Sequence, residues 1–247
     1  MKRGKKLNKS NKFLKLVVLA MLIALGVIIS PILRVEGMCP MAHFINIICS
    51  VFLGPWYSLL CATAIGIIRM MFLGIPPLAL TGAVFGAFLS GVLYRASKGK
   101  LIFAVLGEVI GTGVIGAIIS YPVMAFIMGK TDLTWLFYVP SFTFATIIGG
   151  SIAFIFLKKL SNNGMLKKIQ MSISDKSYED NSGIILNTAT IAAVGVILYL
   201  VIKVLVNTFE LTSPVWNYLS IVLIVGFAVA AVIYHIVNKL KRSNSNG

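Results

Sequence analysis

Acidic side chains and histidines are scarce. Seven Asp and Glu and two His occur in 247 residues, and with the three cysteines, Cys39, Cys49 and Cys61, they form no cluster at metal-ligand spacing. A Gly-rich phosphate loop and a nucleophile elbow are missing as well. These absences argue against an enzyme, a bound metal or a cofactor, and against a chain that powers uphill transport from its own nucleotide site. The thiols show no paired spacing, and Cys49 and Cys61 read as small helix-packing residues. Glu108 is the lone acid within an apolar run, thin support for proton coupling.

Apolar residues are abundant: 58% of the chain is hydrophobic, 12% is charged and the mean hydropathy is +0.96. A soluble core could not hide several apolar runs of about 20 residues, the length that crosses a hydrocarbon layer of roughly 30 Å. The pattern predicts an all-α polytopic membrane protein with spans at 13–33, 42–54, 57–74, 77–94, 101–121 with a possible extension to 128, 137–157, 185–206 and 216–238. The first is read as a retained span rather than a cleaved signal, because its apolar run is long and further spans follow.

The net charge of +15 does not gather into a nucleic-acid patch. With the N-terminus cytoplasmic, 18 of the 22 Lys and Arg fall on the cytoplasmic side, the exceptions being Arg34, Arg69, Lys130 and Lys203. That asymmetry predicts a multi-pass cell-membrane protein with both termini cytoplasmic. The domains expected are a six-span block over 1–160, a polar, Ser- and Asn-rich cytoplasmic linker over 161–183, and a two-span hairpin over 184–247.

Polar residues within spans are the candidates for function. In the stretch Arg34 to Tyr57 a Gly/Pro-containing turn precedes an apolar helix whose first turns carry His43 and Asn46, three apart and therefore on one face. His43 is either interfacial or a binding residue. Arg69, in the outer half of its span, either lines a pocket, pairs with Glu108, or snorkels to headgroups. Glu108 is too short to snorkel and asks for an interior partner; Thr112, four residues on, shares its face. Gly107, Gly111, Gly113 and Gly116 suit close helix packing. Pro122, after Tyr121, is expected to kink the helix. Trp56, Tyr57, Trp135, Tyr138 and His235 read as interfacial, with stacking on a flat heterocycle as the minority role of the aromatics.

The runs AMLIALGVIIS, PMAHFIN, LGPWYSLLCA, GIIR, GAVFGAFLSGVLYR and LGEVIGTGVIGAIISYPV, in that order, resemble the ThiW family over approximately residues 13–160. These are substrate-binding S components of energy-coupling factor (ECF) transporters, associated with the thiazole precursor of thiamine. The resemblance implies a six-helix bundle that takes a small vitamin precursor from outside, in a pocket beneath loops that include the one after helix one. It also implies an EcfT-type coupling subunit and two cytoplasmic ATPase subunits as partners. Small residues at A-x-x-x-A spacing meet the coupling subunit in the family, and Ala20 and Ala24 match that spacing. No pocket motif carries over, so the binding candidates His43, Asn46, Arg69, Glu108, Thr112 and Tyr121 rest on side-chain chemistry and depth. The hairpin departs from the family pattern and is either an accessory contact or an appended anchor. The alternatives are an S component for another small vitamin, or a non-transport assembly or sensory subunit.

Overall fold

Apolar runs punctuated by Gly and Pro give helices in the order the pattern predicts. The computed structural model describes residues 9–32, 38–174, 177–178, 183–208 and 213–244. The turn expected to cover the pocket, around Arg34, and the basic residues Lys2, Arg3, Lys5 and Lys6 lie outside the described residues. The chain is an all-α polytopic membrane protein, and it divides into two compact units, residues 1–180 and 181–247.

The first unit contains α1 (Lys9–Ile29), α2 (Pro40–Leu53), α3 (Pro55–Leu73), α4 (Leu78–Ala96), α5 (Leu101–Glu108), α6 (Ala117–Pro122), α7 (Val139–Asn162) and α8 (Met165–Ser174). One continuous span, Leu101–Ile127, joins α5 and α6 through π-helical stretches at Val109–Gly116 and Val123–Ile127. Lys12, Lys15, Arg95, Lys98, Lys100, Lys158 and Lys159 mark one end of the bundle, called here the basic end. Leu19 and Leu22 of α1 turn inward, whereas Phe13, Leu16, Met21 and Ile28 are exposed, as suits a helix that also faces lipid.

Among the described residues six helices are long and apolar enough to cross a membrane, and α2 is a shorter apolar helix. The 14 residues of α2 cover about 21 Å at 1.5 Å per residue, short of a roughly 30 Å hydrocarbon core. This helix is nonetheless the centre of the unit, packing against α1, α3, α4, α5 and α7. Eleven of its fourteen residues are buried, which leaves almost none of it for lipid. Its Pro40 carbonyl abuts Gly149, the eleventh of the 24 residues of α7. So α2 begins near the middle of the bundle and descends to the basic end.

Glycine sets how closely the span Leu101–Ile127 approaches α4. A Cβ at Gly107 would lie 2.5 Å from Ser90 Cα, one at Gly111 2.5 Å from Gly86 Cα, and one at Gly116 2.5 Å from the Gly82 carbonyl oxygen. On α4 these contacts recur every four residues; on the partner the spacing is four, then five. The extra residue falls inside the π-helical stretch, whose wider turns keep both glycines on the contact line. At Pro122, where a kink is expected, the helix continues through the second π-helical stretch to Ile127, the proline removing one ladder donor.

The segment expected to be a plain linker holds a helix, α8. Leu166, Gln170 and Ile173 fall at i, i+4 and i+7 and are all buried, while Lys167, Lys168 and Met171 stay exposed. Gln170 Nε2 donates to the Val51 carbonyl at 2.9 Å and to the Tyr94 hydroxyl at 3.0 Å, and its Oε1 accepts from the Tyr178 amide at 2.9 Å. Val51 lies in the last turn of α2, where carbonyls have no intrahelical partner, so Gln170 caps the central helix from outside. Nearby, Arg95 Nη2 donates to the Leu53 carbonyl at 3.3 Å. Its guanidinium fills the space beside Gly54, where φ is +91° and a Cβ would collide with it.

The second unit is a hairpin of α9 (Ile184–Thr208) and α10 (Pro214–Asn244). Gly195 packs closely on Phe227, and Asn187 Nδ2 donates to the Tyr234 hydroxyl at 2.8 Å. His235, expected at an interface, has its Nδ1 3.4 Å from Thr188 Oγ1.

Candidate functional site

Four of the six binding candidates meet around one carboxylate. Glu108 ends α5 with its side chain fully buried, and its Oε1 accepts from His43 Nδ1 at 2.8 Å, Asn46 Nδ2 at 3.0 Å and Thr112 Oγ1 at 3.2 Å. Helical spacing explains each pair: His43 and Asn46 project from one face of α2, and Thr112 follows Glu108 by one turn. The site sits near mid-bundle because α2 begins there.

Neighbouring helices fix these side chains. Ser58 Oγ of α3 donates to the Asn46 carbonyl at 3.0 Å. Gly86 of α4 lies opposite the carboxylate, where a Cβ would strike Thr112 Oγ1 and stand 2.9 Å from Glu108 Oε2. The absent side chain is therefore what admits Glu108 to the interface. Thr143 Oγ1 of α7 donates to the Gly113 carbonyl at 3.1 Å, which holds the π-helical stretch from the other side.

A buried carboxylate is costly unless it is hydrogen-bonded, and charge-assisted donors roughly double the strength of neutral ones. Here one oxygen holds three donors and the other, Oε2, has none. Because Nδ1 of His43 is engaged by Glu108, Nε2 is the ring nitrogen left to another partner, and the side chain keeps 8% of its surface accessible. The contacts fix the orientation of the His43 imidazole.

Arg69 and Tyr121 stand apart from this cluster. The Arg69–Glu108 pair, one of the alternatives for Arg69, does not form: among the described residues the Glu108 carboxylate meets His43 instead. Snorkelling does not describe Arg69 either, since it is 4% exposed while Met71 and Phe72, two and three residues on, are 73% and 78% exposed. Its Nε is buried without a partner. Tyr121 lies toward the far end, its ring 4.5 Å from that of Trp135 and 6.5 Å from that of Phe126. At the residue before Tyr121, the Thr81 and Ser120 hydroxyls lie 2.7 Å apart and tie α4 to α6. Sequence reasoning did not single out Ser58, Gly86, Ser120 or Thr143; their signal was limited to small polar or Gly residues facing inward in spans.

The family model for ThiW, described as Thiamine-precursor transporter protein (ThiW), matches residues 16–163, more than half of the chain. The matched region contains every residue of the Glu108 cluster. No curated protein and no solved structure matches the chain. The chain therefore belongs to the ThiW family, whose members are thiamine-precursor transporter proteins and not enzymes.

Proposed function

We propose that the protein is the substrate-binding S component of an ATP-dependent ECF-type importer, with hydroxyethylthiazole as its ligand. The observation that carries this reading is the polar cluster His43–Asn46–Glu108–Thr112, buried near mid-bundle within the family-matched region. Hydroxyethylthiazole is small and flat, with one hydroxyl and one ring nitrogen. A ligand of that kind calls for an apolar slot, an aromatic face and one or two hydrogen bonds. His43 Nε2 supplies a hydrogen-bonding atom oriented by Glu108, and Asn46 and Thr112 hold that carboxylate in place.

In this reading the basic end is cytoplasmic, following the distribution of Lys and Arg, and ligand enters from the far end. Ala20 and Ala24 are both exposed on α1, one turn apart, and form the docking stripe for an EcfT-type coupling subunit. Two cytoplasmic ATPase subunits supply the energy, since the chain has no nucleotide motif. The hairpin over 184–247 is an appendage joined through residues 161–183.

Isothermal calorimetry on the detergent-solubilised full chain tests the ligand assignment. Saturable heat with hydroxyethylthiazole supports it. Absence of binding to hydroxyethylthiazole, thiamine and the pyrimidine precursor alike removes it.

A further inference from the structure

Among the described residues of the first unit, Arg69 is a buried charge with no acidic partner. It is 4% exposed, its Nε has no hydrogen-bond partner, and the acid buried in the same bundle, Glu108, is taken up by His43, Asn46 and Thr112. A buried guanidinium is costly unless an anion accompanies it.

The packing of α1, α2 and α3 shows what lies beside it. Gly26 of α1 faces Ile65 of α3 directly, and a Cβ there would also lie 3.4 Å from Ile45 Cγ2 of α2. These three residues mark one layer. One turn toward the far end, α1 presents Ser30, α3 presents Arg69, and α2, which runs the opposite way, presents its first turn at Pro40 and Met41. An independent contact fixes the same level: Cys39 Sγ, at the N-cap of α2, donates to the Ser30 carbonyl at 2.9 Å. On its own helix Arg69 follows Gly66 by three residues, and Gly66 packs on Leu80 of α4. The side chain thus projects from the inward face of α3, between α4 and the start of α2.

That start is electropositive. Cys39 makes no side-chain cap, its thiol being turned to Ser30, and Pro40 brings no amide hydrogen. Among the described residues no side chain caps this N-terminus, whose partial positive charge points toward the layer of Arg69. Arg69, buried and with its Nε unpartnered among the described residues, lies at the same level and reinforces it.

We propose that Arg69 and the first turn of α2 form an oxyanion site, filled by a phosphate monoester on the transported precursor. A phosphate ester matches the planar, forked donors of arginine, whereas a neutral alcohol leaves Arg69 unpaired. The identity of the precursor rests on the transport reading above; the oxyanion chemistry does not. A phospholipid headgroup carries the same phosphate chemistry and is separated from the ester by the test.

The full chain in a non-ionic detergent is titrated with hydroxyethylthiazole, with its phosphate ester and with short-chain phosphatidylglycerol. The ester is expected to bind at least about tenfold more tightly than the alcohol, equivalent to about 1.4 kcal/mol. Arg69→Met is expected to erase that advantage and Arg69→Lys to keep part of it, with unliganded melting temperatures showing that both variants are folded. An ester that binds no better than the alcohol, or an advantage that survives Arg69→Met, overturns the proposal. Phosphatidylglycerol that displaces the ester in an Arg69-dependent way upholds the oxyanion site and makes lipid its occupant. Arg69-dependent ester binding without alcohol binding upholds the site while removing the neutral-thiazole assignment.

Discussion

His43 Nδ1 lies 2.8 Å from Glu108 Oε1, a contact between residues 65 positions apart that ties the first turn of the central helix to the end of α5. Both groups are buried, so the two should behave as a unit. His43→Ala leaves the carboxylate with one donor fewer and is expected to cost about 1–3 kcal/mol. Replacing both residues with apolar side chains should cost less than the two single changes added together. Melting of the four proteins in detergent gives the coupling energy; additivity within about 0.3 kcal/mol would refute a coupled pair.

Two glycines make a matched comparison. Gly111→Ala puts a Cβ 2.5 Å from Gly86 Cα, against backbone that cannot yield, while Gly226→Ala in α10 meets nothing within 4 Å. The first is expected to lower stability by about 2 kcal/mol or more, as overpacking does. The second should be neutral or stabilising by up to about 1 kcal/mol through helix propensity. Equal melting temperatures for the two variants would contradict the close approach of α4 and the π-helical stretch.

Gln170→Leu removes the three hydrogen bonds by which α8 holds Val51, Tyr94 and Tyr178. Loss of a buried polar hub of this kind is expected to cost about 2–4 kcal/mol. Hydrogen exchange should rise across Met165–Ser174 and at the last turn of α2, with the His43 end of α2 less affected. Unchanged protection in α8 would mean that its docking does not depend on Gln170.

The docking stripe is tested by bulk. Ala20→Trp or Ala24→Trp places a large ring on an exposed face of α1, which should block co-purification with the coupling subunit and leave ligand binding intact. Co-purification at the native level would contradict the assignment of that face.

Much of this architecture was legible in the chain. Apolar run lengths located the spans, and the Gly-Pro pair before Trp56 announced that α2 is short. The i, i+3 pair His43 and Asn46 and the i, i+4 pair Glu108 and Thr112 were readable as shared faces, because helical periodicity is local. That the two pairs meet was not readable, since a contact across 65 residues depends on which helices pack. The same limit made Arg69 the partner named for Glu108, with His43 read only as interfacial or ligand-binding. α8 was hidden by composition: Ser, Asn and Lys dominate its surroundings, and the buried face of Leu166, Gln170 and Ile173 spans only two turns. The π-helical stretch did leave a trace, in glycines spaced by four and then by five.

That spacing has a rotational meaning. An α-helix turns about 100° per residue, so twelve residues from Glu108 to Ser120 would set the two side chains about 120° apart. Taking up one residue in wider turns reduces the angle to about 20°, and both side chains then face α4, one at Gly86 and one at Thr81. The π-helical stretch is a phase shifter. Deleting one residue within Val109–Gly116 would let the rod run as plain α-helix with both contacts in phase, whereas inserting one would swing everything beyond it, Tyr121 included, out of alignment with the carboxylate.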